Sequence, residues 1–171
     1  LPKINSIIQA GVADLNKKFA IRENQILVST SPNKLVYELI PANAVSSGNP
    51  DAFIIDTLED PYQGDLMQIV KINDSRGNSL WLNTDVAIRH AEGNVFGNSP
   101  TAYVHNGVNM DSYNTLRLHK DHKLGEILIT YKAKAKPLDF SLAPENVYID
   151  LPDHFINALV LYVASRRHNP M

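Results

Sequence analysis

The sequence contains no cysteine among its 171 residues. Disulfide bonds, zinc–thiolate sites and cysteine nucleophiles are therefore excluded, and cysteine usage says nothing about the redox environment. Long apolar runs are missing as well: none approaches the roughly 18 residues of a membrane-spanning helix, and no signal peptide is visible. The 16 basic and 18 acidic residues nearly cancel. This balance argues against a protein held mainly by nucleic-acid phosphates, which needs a basic face.

The short motifs of the common enzyme classes are also missing. There is no G-x-S-x-G, no P-loop, no G-x-G-x-x-G and no H-E-x-x-H. The six histidines are scattered without the spacing of a catalytic or metal site. These motifs therefore identify no catalytic residue and no cofactor-binding site in the sequence.

One cluster has the composition of a metal site. His119, Asp121 and His122 stand close together in the segment LHKDHK. A divalent ion can bind such residues, but no third histidine is nearby. The cluster also lies between two predicted strands, where polar residues fill a hairpin loop. We therefore expect no metal ion here.

An acidic segment, DTLEDPYQGD, carries Asp56, Glu59, Asp60 and Asp65. Its spacing does not match a calcium-binding loop, so a solvated loop is the simpler interpretation. A hydrolase would require a carboxylate pair such as Glu59 and Asp60 to face each other across a cleft. That hypothesis stays open as an alternative.

Three aromatic residues offer a different alternative. Trp81, Tyr62 and Tyr103 could stack on a sugar or a base if they are exposed. Aromatic residues in strands more often belong to the core. A carbohydrate-binding β-module of a virion or surface protein is therefore the second functional hypothesis.

Helical periodicity marks both ends of the chain. Residues 2–19 place apolar side chains on one face, with Pro2 in the first turn and Lys3, Asn5, Gln9, Asn16 and Lys17 on the polar face. In the last segment, Asp150 is a candidate N-cap and Pro152 falls in the first turn. A wide apolar face follows, formed by Phe155, Ile156, Leu159, Val160, Tyr162 and Val163. The basic residues Arg166, Arg167 and His168 complete the last turn, where cations are favoured.

Between the helices, short extended runs alternate with turns. Strands are predicted at 25–30, 34–40, 52–58, 66–72, 79–82, 101–106, 114–119 and 125–135. Tight turns at SPN and around Gly77 predict hairpins, and sequential strands predict antiparallel pairing. The class is therefore α+β, with a helical part at 1–22 and 150–171 and an inserted antiparallel β-sheet or sandwich at 23–149. The terminal helices must bury their apolar faces against each other, the sheet or another copy.

Two segments of the chain have a familiar arrangement: SPTAYVHNGVNMDSYNTLRLHKDHKLGEILITYKAKAKPLD and VYIDLPDHFINALVLYVASRRHNPM. They resemble the head-to-tail adaptor proteins of tailed bacteriophages, of the tail tubular protein A type. The N-terminal IIQAGVADLNKKF and the strand KLVYELIP fit the same plan. Such proteins are structural components of the virion neck, and members often carry another helical segment beyond the corresponding helix. The resemblance therefore implies a protein that is not an enzyme and has no catalytic residue and no cofactor.

The resemblance implies a homo-oligomeric ring of about twelve copies that joins the portal to the tail or nozzle proteins. Its helices pack as a bundle, and genomic DNA passes through the channel without sequence-specific binding. It implies assembly in the host cytoplasm, residence in the virion, and no membrane partner. On this hypothesis the subunit or portal interface is expected on the terminal helices, at Ile8, Leu15, Phe155, Leu159, Tyr162, Arg166 and Arg167.

Overall fold

The computed structural model describes residues 2–19, 21–82, 107–118 and 125–168. The chain divides into two compact units. The helical unit consists of Leu1–Glu23 and Lys132–Met171, and the β unit consists of Asn24–Tyr131. Residues 132–149, which were predicted to belong to the β module, are therefore grouped with the helices.

The predicted α+β class is confirmed. Within the described residues, two helices flank the strands: α1 (Pro2–Phe19) and α2 (Asp153–His168). The strands are β1 (Glu23–Ser29), β2 (Val36–Glu38), β3 (Ile54–Ile55), β4 (Leu66–Asp74), β5 (Trp81–Leu82), β6 (Gly107–Ser112), β7 (Thr115–Leu118) and β8 (Glu126–Ala133). Short 3₁₀ turns lie at Pro41–Asn43, Val45–Ser47 and Pro144–Asn146.

In the part of the chain that the structure describes, the strands form two four-stranded sheets. The first sheet has the order β3-β1-β8-β4 and the second has the order β2-β7-β6-β5. The predicted antiparallel pairing is confirmed for β1 with β3, β2 with β7 and β6 with β7. The pair β5–β6 is parallel instead. The long stretch 83–106 between these strands supplies the chain length that a parallel connection requires.

Strands β1 and β8 are also antiparallel. The Thr30 N–H donates to the Gly125 carbonyl at one end (2.7 Å), and the Ala133 N–H donates to the Arg22 carbonyl at the other (2.9 Å). In this register, a β1 residue faces the β8 residue for which the two residue numbers add up to the same total as in these two pairs. The side chains of Gln25 and Thr130 obey this register, since they are hydrogen-bonded at 3.3 Å.

One predicted hairpin is corrected by the sheet order. The turn after β1 does not pair β1 with β2, because these strands belong to different sheets. The Tyr37 hydroxyl accepts from the Ser31 N–H (2.8 Å) and donates to the Ser31 carbonyl (3.2 Å), so it holds the corner where the chain changes sheets. Residues 107–112, predicted as a turn, form β6. The predicted strand 101–106 lies outside the described residues.

The predicted turn at Gly77 is present. Gly77 adopts a positive φ of 85°, and the Leu80 N–H donates to the Ile72 carbonyl across the turn (2.8 Å). The hairpin begins after β4, but β5 then joins the second sheet. This turn therefore also carries the chain from one sheet to the other.

Burial follows the alternation of strand side chains. In β8, Ile127, Ile129 and Tyr131 are buried, while the intervening residues are more exposed. The second sheet buries Tyr37, Val108, Leu116 and Leu118. The Tyr37 ring meets the Phe53 ring edge-on at 5.2 Å, beside β3 of the first sheet. The two sheets therefore share the main core of the β unit. Each such apolar side chain contributes about 1.5–3 kcal/mol to the stability of the fold when it is fully buried.

The helical unit is built on contacts between α1 and α2. The Phe19 and Phe155 rings lie 4.9 Å apart, and Val12 of α1 is buried. The segment after β8 is tied to α1 because the Leu138 N–H donates to the Gln9 side-chain carbonyl (2.8 Å). This bond helps explain why residues 132–149 belong with the helices.

The start of α2 differs from the prediction. The helix begins at Asp153, so Pro152 precedes the first helical residue and Asp150 lies too far upstream to cap it. The Phe155 N–H donates to the Pro152 carbonyl (2.8 Å) and closes the first turn. Asp153 places its negative charge at the positive end of the helix dipole.

Candidate interaction surface

Three of the predicted interface residues are used for packing within the chain. Leu159 is buried, and a Cβ atom added at Gly11 of α1 would lie 2.7 Å from its Cδ1 atom and 2.9 Å from Cδ1 of Tyr162. Phe155 packs on Phe19. Packing of these side chains therefore holds α2 against α1. It also explains why a glycine, which has no side chain, stands in the middle of α1.

The remaining predicted interface residues are distributed differently. Ile8 and Leu15 of α1 are half-buried. The Arg166 guanidinium lies over the Tyr162 ring at 5.5 Å, a cation–π contact within α2. Arg167 is exposed. Among the basic residues proposed for the interface, Arg167 is thus the better placed to meet a partner.

A stripe of exposed residues runs along α2 on a side that α1 does not cover. It consists of Asp153, Ile156, Val160, Ala164 and Arg167, which follow one another at three- and four-residue spacing and so share one helix face. Val160 is 59% exposed, and the adjacent Leu161 is 71% exposed. We call this set the α2 stripe. Its centre is apolar, one end is acidic and the other end is basic.

The sequence contained a signal for the α2 stripe. The predicted apolar face of α2 was wide and already included Ile156 and Val160. A helix that is apolar around much of its circumference has more than one partner, or is fully buried. Sequence reasoning could not decide which side packs on α1, and the structure assigns that side to Phe155, Leu159 and Tyr162.

The helical unit also contains an open cavity of about 260 Å³ between α1 and the segment 135–151. Its apolar lining comes from Val12, Leu138, Leu142, Val147, Tyr148 and Leu151. Tyr148 is 81% exposed and Leu142 is also exposed. Charged groups come from Arg22, which is half-buried, and from Lys136, Asp139 and Asp150, which are exposed. We call this feature the helical-unit cavity.

A buried polar side chain fixes one wall of the cavity. Asn16 was predicted on the polar face of α1, but it is buried. Its Nδ2 atom donates to the Ala133 carbonyl (2.9 Å), and its Oδ1 atom accepts from the Arg22 N–H (3.2 Å). The Arg22 guanidinium donates in turn to the Lys134 carbonyl (3.0 Å). Asn16 therefore ties the end of α1 to both chain segments that lead into the β unit.

A row of aliphatic residues crosses the outer face of the first sheet. Leu27 lies directly opposite Ile55, and the β1–β8 register places Leu128 on its other side. Ile55 is exposed, whereas Leu27 and Leu128 are half-buried. The neighbouring row, Gln25 and Thr130, is polar. This outer face is a second apolar surface.

The acidic loop of the β unit is organised by its own carboxylates. Asp56 accepts hydrogen bonds from the Ser46 N–H (2.7 Å), the Ser46 hydroxyl (2.5 Å) and the Tyr62 N–H (2.8 Å). Burial raises the pKa of the Asp56 carboxyl, but these hydrogen bonds outweigh it and hold the pKa below its ordinary value. Asp56 thus links two loop segments, at Ser46 and at Tyr62, through hydrogen bonds.

Asp65 has a similar structural role. It accepts from the Tyr131 hydroxyl (2.8 Å) and from Nδ2 of Asn24 (3.1 Å). Burial and the hydrogen bond to Asp65 raise the pKa of the Tyr131 phenol. Glu59 and Asp60, the pair considered for hydrolysis, are both exposed. In the part of the chain that the structure describes, no group of three or more histidine, aspartate or glutamate residues is arranged to hold a metal ion.

Of the three aromatic residues considered for sugar stacking, the structure describes the side chain of Tyr62. Tyr62 is buried, its hydroxyl donates to the Leu39 carbonyl (3.2 Å), and burial raises the pKa of its phenol. The Trp81 side chain and the whole of Tyr103 lie outside the described residues, as do His119, Asp121 and His122. Tyr62 is therefore a core residue and cannot stack on a ligand.

Comparison with protein-family models and with curated proteins identifies no relative of this chain. No protein-family model matches the chain, and a search of curated proteins finds no significant match. Within residues 2–19, 21–82, 107–118 and 125–168, neither helix is long and apolar enough to cross a membrane.

Proposed function

We propose that this protein is a structural subunit of a head-to-tail adaptor ring in a tailed bacteriophage, without enzymatic activity. The observation that carries the proposal is the α2 stripe. After α1 and α2 have packed together, Val160 at the centre of the stripe remains 59% exposed, and Leu161, on another side of the same helix, is 71% exposed. Covering such side chains in an assembly contributes about 25 cal/mol per Å² of apolar surface removed from water.

The loop geometry is compatible with a structural role. Asp56 and Asp65, the two carboxylates with the most hydrogen bonds in the acidic loop, hold loops and strands in place. Tyr62 contributes to the core. These groups therefore have roles that require no substrate.

The proposed ring joins the portal to the tail and surrounds the DNA channel. A net charge of −2 suits a channel through which DNA slides, because strong neutralisation of phosphates would retain the DNA. The ring assembles in the host cytoplasm and stays in the neck of the virion. Its neighbours in this proposal are the portal protein on one side and tail or nozzle proteins on the other.

Negative-stain electron microscopy tests the proposal directly. The purified protein is imaged alone and after mixing with portal rings. We expect closed rings, either free or stacked coaxially on the portal. A protein that stays monomeric alone and leaves the portal rings bare would overturn the proposal.

A further inference from the structure

We propose that two copies of the free protein pair through their α2 stripes, with the two helices antiparallel and Val160 beside the two-fold axis. The dimer is a state of the protein before it joins a ring, so it goes beyond the proposed function. Both halves of the contact lie on one helix, in which the order and spacing of the side chains along the axis are known.

The α2 stripe is symmetric in position about Val160. Ile156 and Ala164 lie four residues before and after it, and all five side chains of the stripe are exposed. Asp153 and Arg167 lie seven residues before and after it, or about 10 Å along the axis at 1.5 Å per residue. A two-fold axis at the centre of the stripe reverses the helix direction. It sets Ile156 level with the partner's Ala164, and it sets Asp153 level with the partner's Arg167.

The charges of the stripe select this antiparallel direction. Each end of the contact joins the Asp153 carboxylate of one copy to the Arg167 guanidinium of the other. A parallel pair would set the two aspartates against each other and the two arginines against each other. Opposite charges favour the first arrangement, and like charges disfavour the second. The helix dipoles act in the same direction, because the positive end of each helix then lies beside the negative end of the other.

A second copy of this chain is therefore the occupant we assign to the stripe, since it supplies an apolar face of the same length with its charges in the reverse order. Val160, which is 59% exposed in one copy, meets the same residue of its partner. The larger Ile156 lies level with the smaller Ala164. A contact confined to one face of one helix is smaller than the roughly 800 Å² per partner of a standard interface, so we expect a dimer that dissociates on dilution.

This pair and the proposed ring exclude each other. The ring has the portal on one side and tail proteins on the other, so its subunits are related by rotation about one axis and make heterologous contacts. An isologous two-fold pair has no place between neighbours in such a ring. The dimer must therefore separate before the α2 stripe is used in the ring, a consequence that rests on the proposed function.

The absence of cysteine allows a crosslinking test without background thiols. Val160→Cys places a thiol beside the two-fold axis, where a short bis-maleimide crosslinker can join the two copies. Leu161→Cys is the matched control, because Leu161 is more exposed (71% against 59%) but lies on another side of the helix. We expect at least tenfold more covalent dimer from Val160→Cys. Equal yields from the two variants would overturn the pairing.

A second pair of variants tests the direction of the helices. Ile156→Cys and Ala164→Cys are purified separately, mixed, and treated with the same crosslinker. Antiparallel pairing predicts that the mixed dimer is more abundant than the dimer of either variant with itself. Self-crosslinking of both variants at the expense of the mixed product would contradict the antiparallel arrangement.

Electron microscopy of portal rings mixed with the protein separates the pairing from the proposed function. Rings on the portal, formed by a protein whose Val160→Cys variant does not crosslink preferentially, would overturn the pairing alone. Covalent dimers of Val160→Cys, together with portal rings that the wild-type protein leaves bare, would support the pairing and contradict the proposed function.

Discussion

Gly11 of α1 and Leu159 of α2 lie so close that a Cβ atom at Gly11 would stand 2.7 Å from Cδ1 of Leu159. This contact sets the spacing between the helices and determines which side of α2 is left outside. Because Leu159 and Tyr162 face α1, the α2 stripe faces away from it. Gly11 on α1 therefore helps determine which face of α2 remains exposed as the candidate interface.

Replacing Gly11 with valine should separate the helices. The new side chain would meet Leu159 and the Tyr162 ring, and overpacking of this kind costs about 1–3 kcal/mol. We expect the free energy of unfolding, measured with a chemical denaturant, to fall by this amount. Gly125→Val is the matched control, since no atom lies within 4 Å of a Cβ at that position. Equal stability of the two variants would show that the helices are not packed as described.

Asn16→Ala should destabilise the helical unit. The change removes a buried donor and acceptor and leaves the Ala133 carbonyl and the Arg22 N–H without their side-chain partner. A buried polar group left without a partner costs about 1–3 kcal/mol. Asn157→Ala, at an exposed position of α2, should have a much smaller effect. Thermal unfolding of both variants beside the wild type checks the prediction, and a loss as large for Asn157→Ala would contradict it.

Acid should weaken the stabilisation that the hydrogen bonds to the Asp56 carboxylate provide. Its pKa is lower in the folded protein than in the unfolded chain, so the unfolded chain takes up the proton first as the pH falls. The stabilisation is complete above the unfolded pKa of about 3.9 and disappears as the pH falls through the lower, folded value. Denaturant unfolding at a series of pH values measures this slope.

Two variants test the assignment of that slope to Asp56. Asp56→Asn removes the titrating carboxyl, so part of the acid dependence should vanish. Ser46→Ala removes the hydroxyl donor and keeps the backbone donors, so an intermediate slope is expected. An unchanged slope in Asp56→Asn would show that other carboxylates account for the acid sensitivity.

The two arginines at the end of α2 should behave differently. Arg166 lies over the Tyr162 ring, so Arg166→Glu should lower the stability of the monomer by about 0.5–1 kcal/mol. Arg167 is exposed at the end of the α2 stripe, so Arg167→Glu should weaken self-association or portal attachment and change monomer stability less. Sedimentation velocity and thermal unfolding of both variants separate these effects. Identical profiles would contradict the separate roles.

Local patterns predicted the elements better than they predicted their partners. The apolar spacing of residues 2–19 predicted α1 with the bounds that the structure shows. The hairpin expected between β1 and β2 was wrong, because a tight turn does not specify whether the next strand stays in the same sheet. That choice depends on Tyr37 and Phe53, which meet across the core.

The candidate surface was predictable only in part. Apolar residues around most of α2 indicated a helix with more than one partner, but the sequence could not assign each side. Asn16 was misplaced on the polar face because its partner, Ala133, lies far away in the sequence. The cavity has no sequence motif, since it is formed where the segment after β8 returns to α1.

The most direct test of the central claim is the fraction of portal rings that carry a second ring in electron micrographs. Wild-type protein and Val160→Asp are compared at equal concentration, with the folding of both checked by circular dichroism. Coaxial rings on the portal with wild-type protein, and few or none with Val160→Asp, would agree with assembly through the α2 stripe. Bare portal rings with the wild-type protein, or equal decoration by the two proteins, would contradict it.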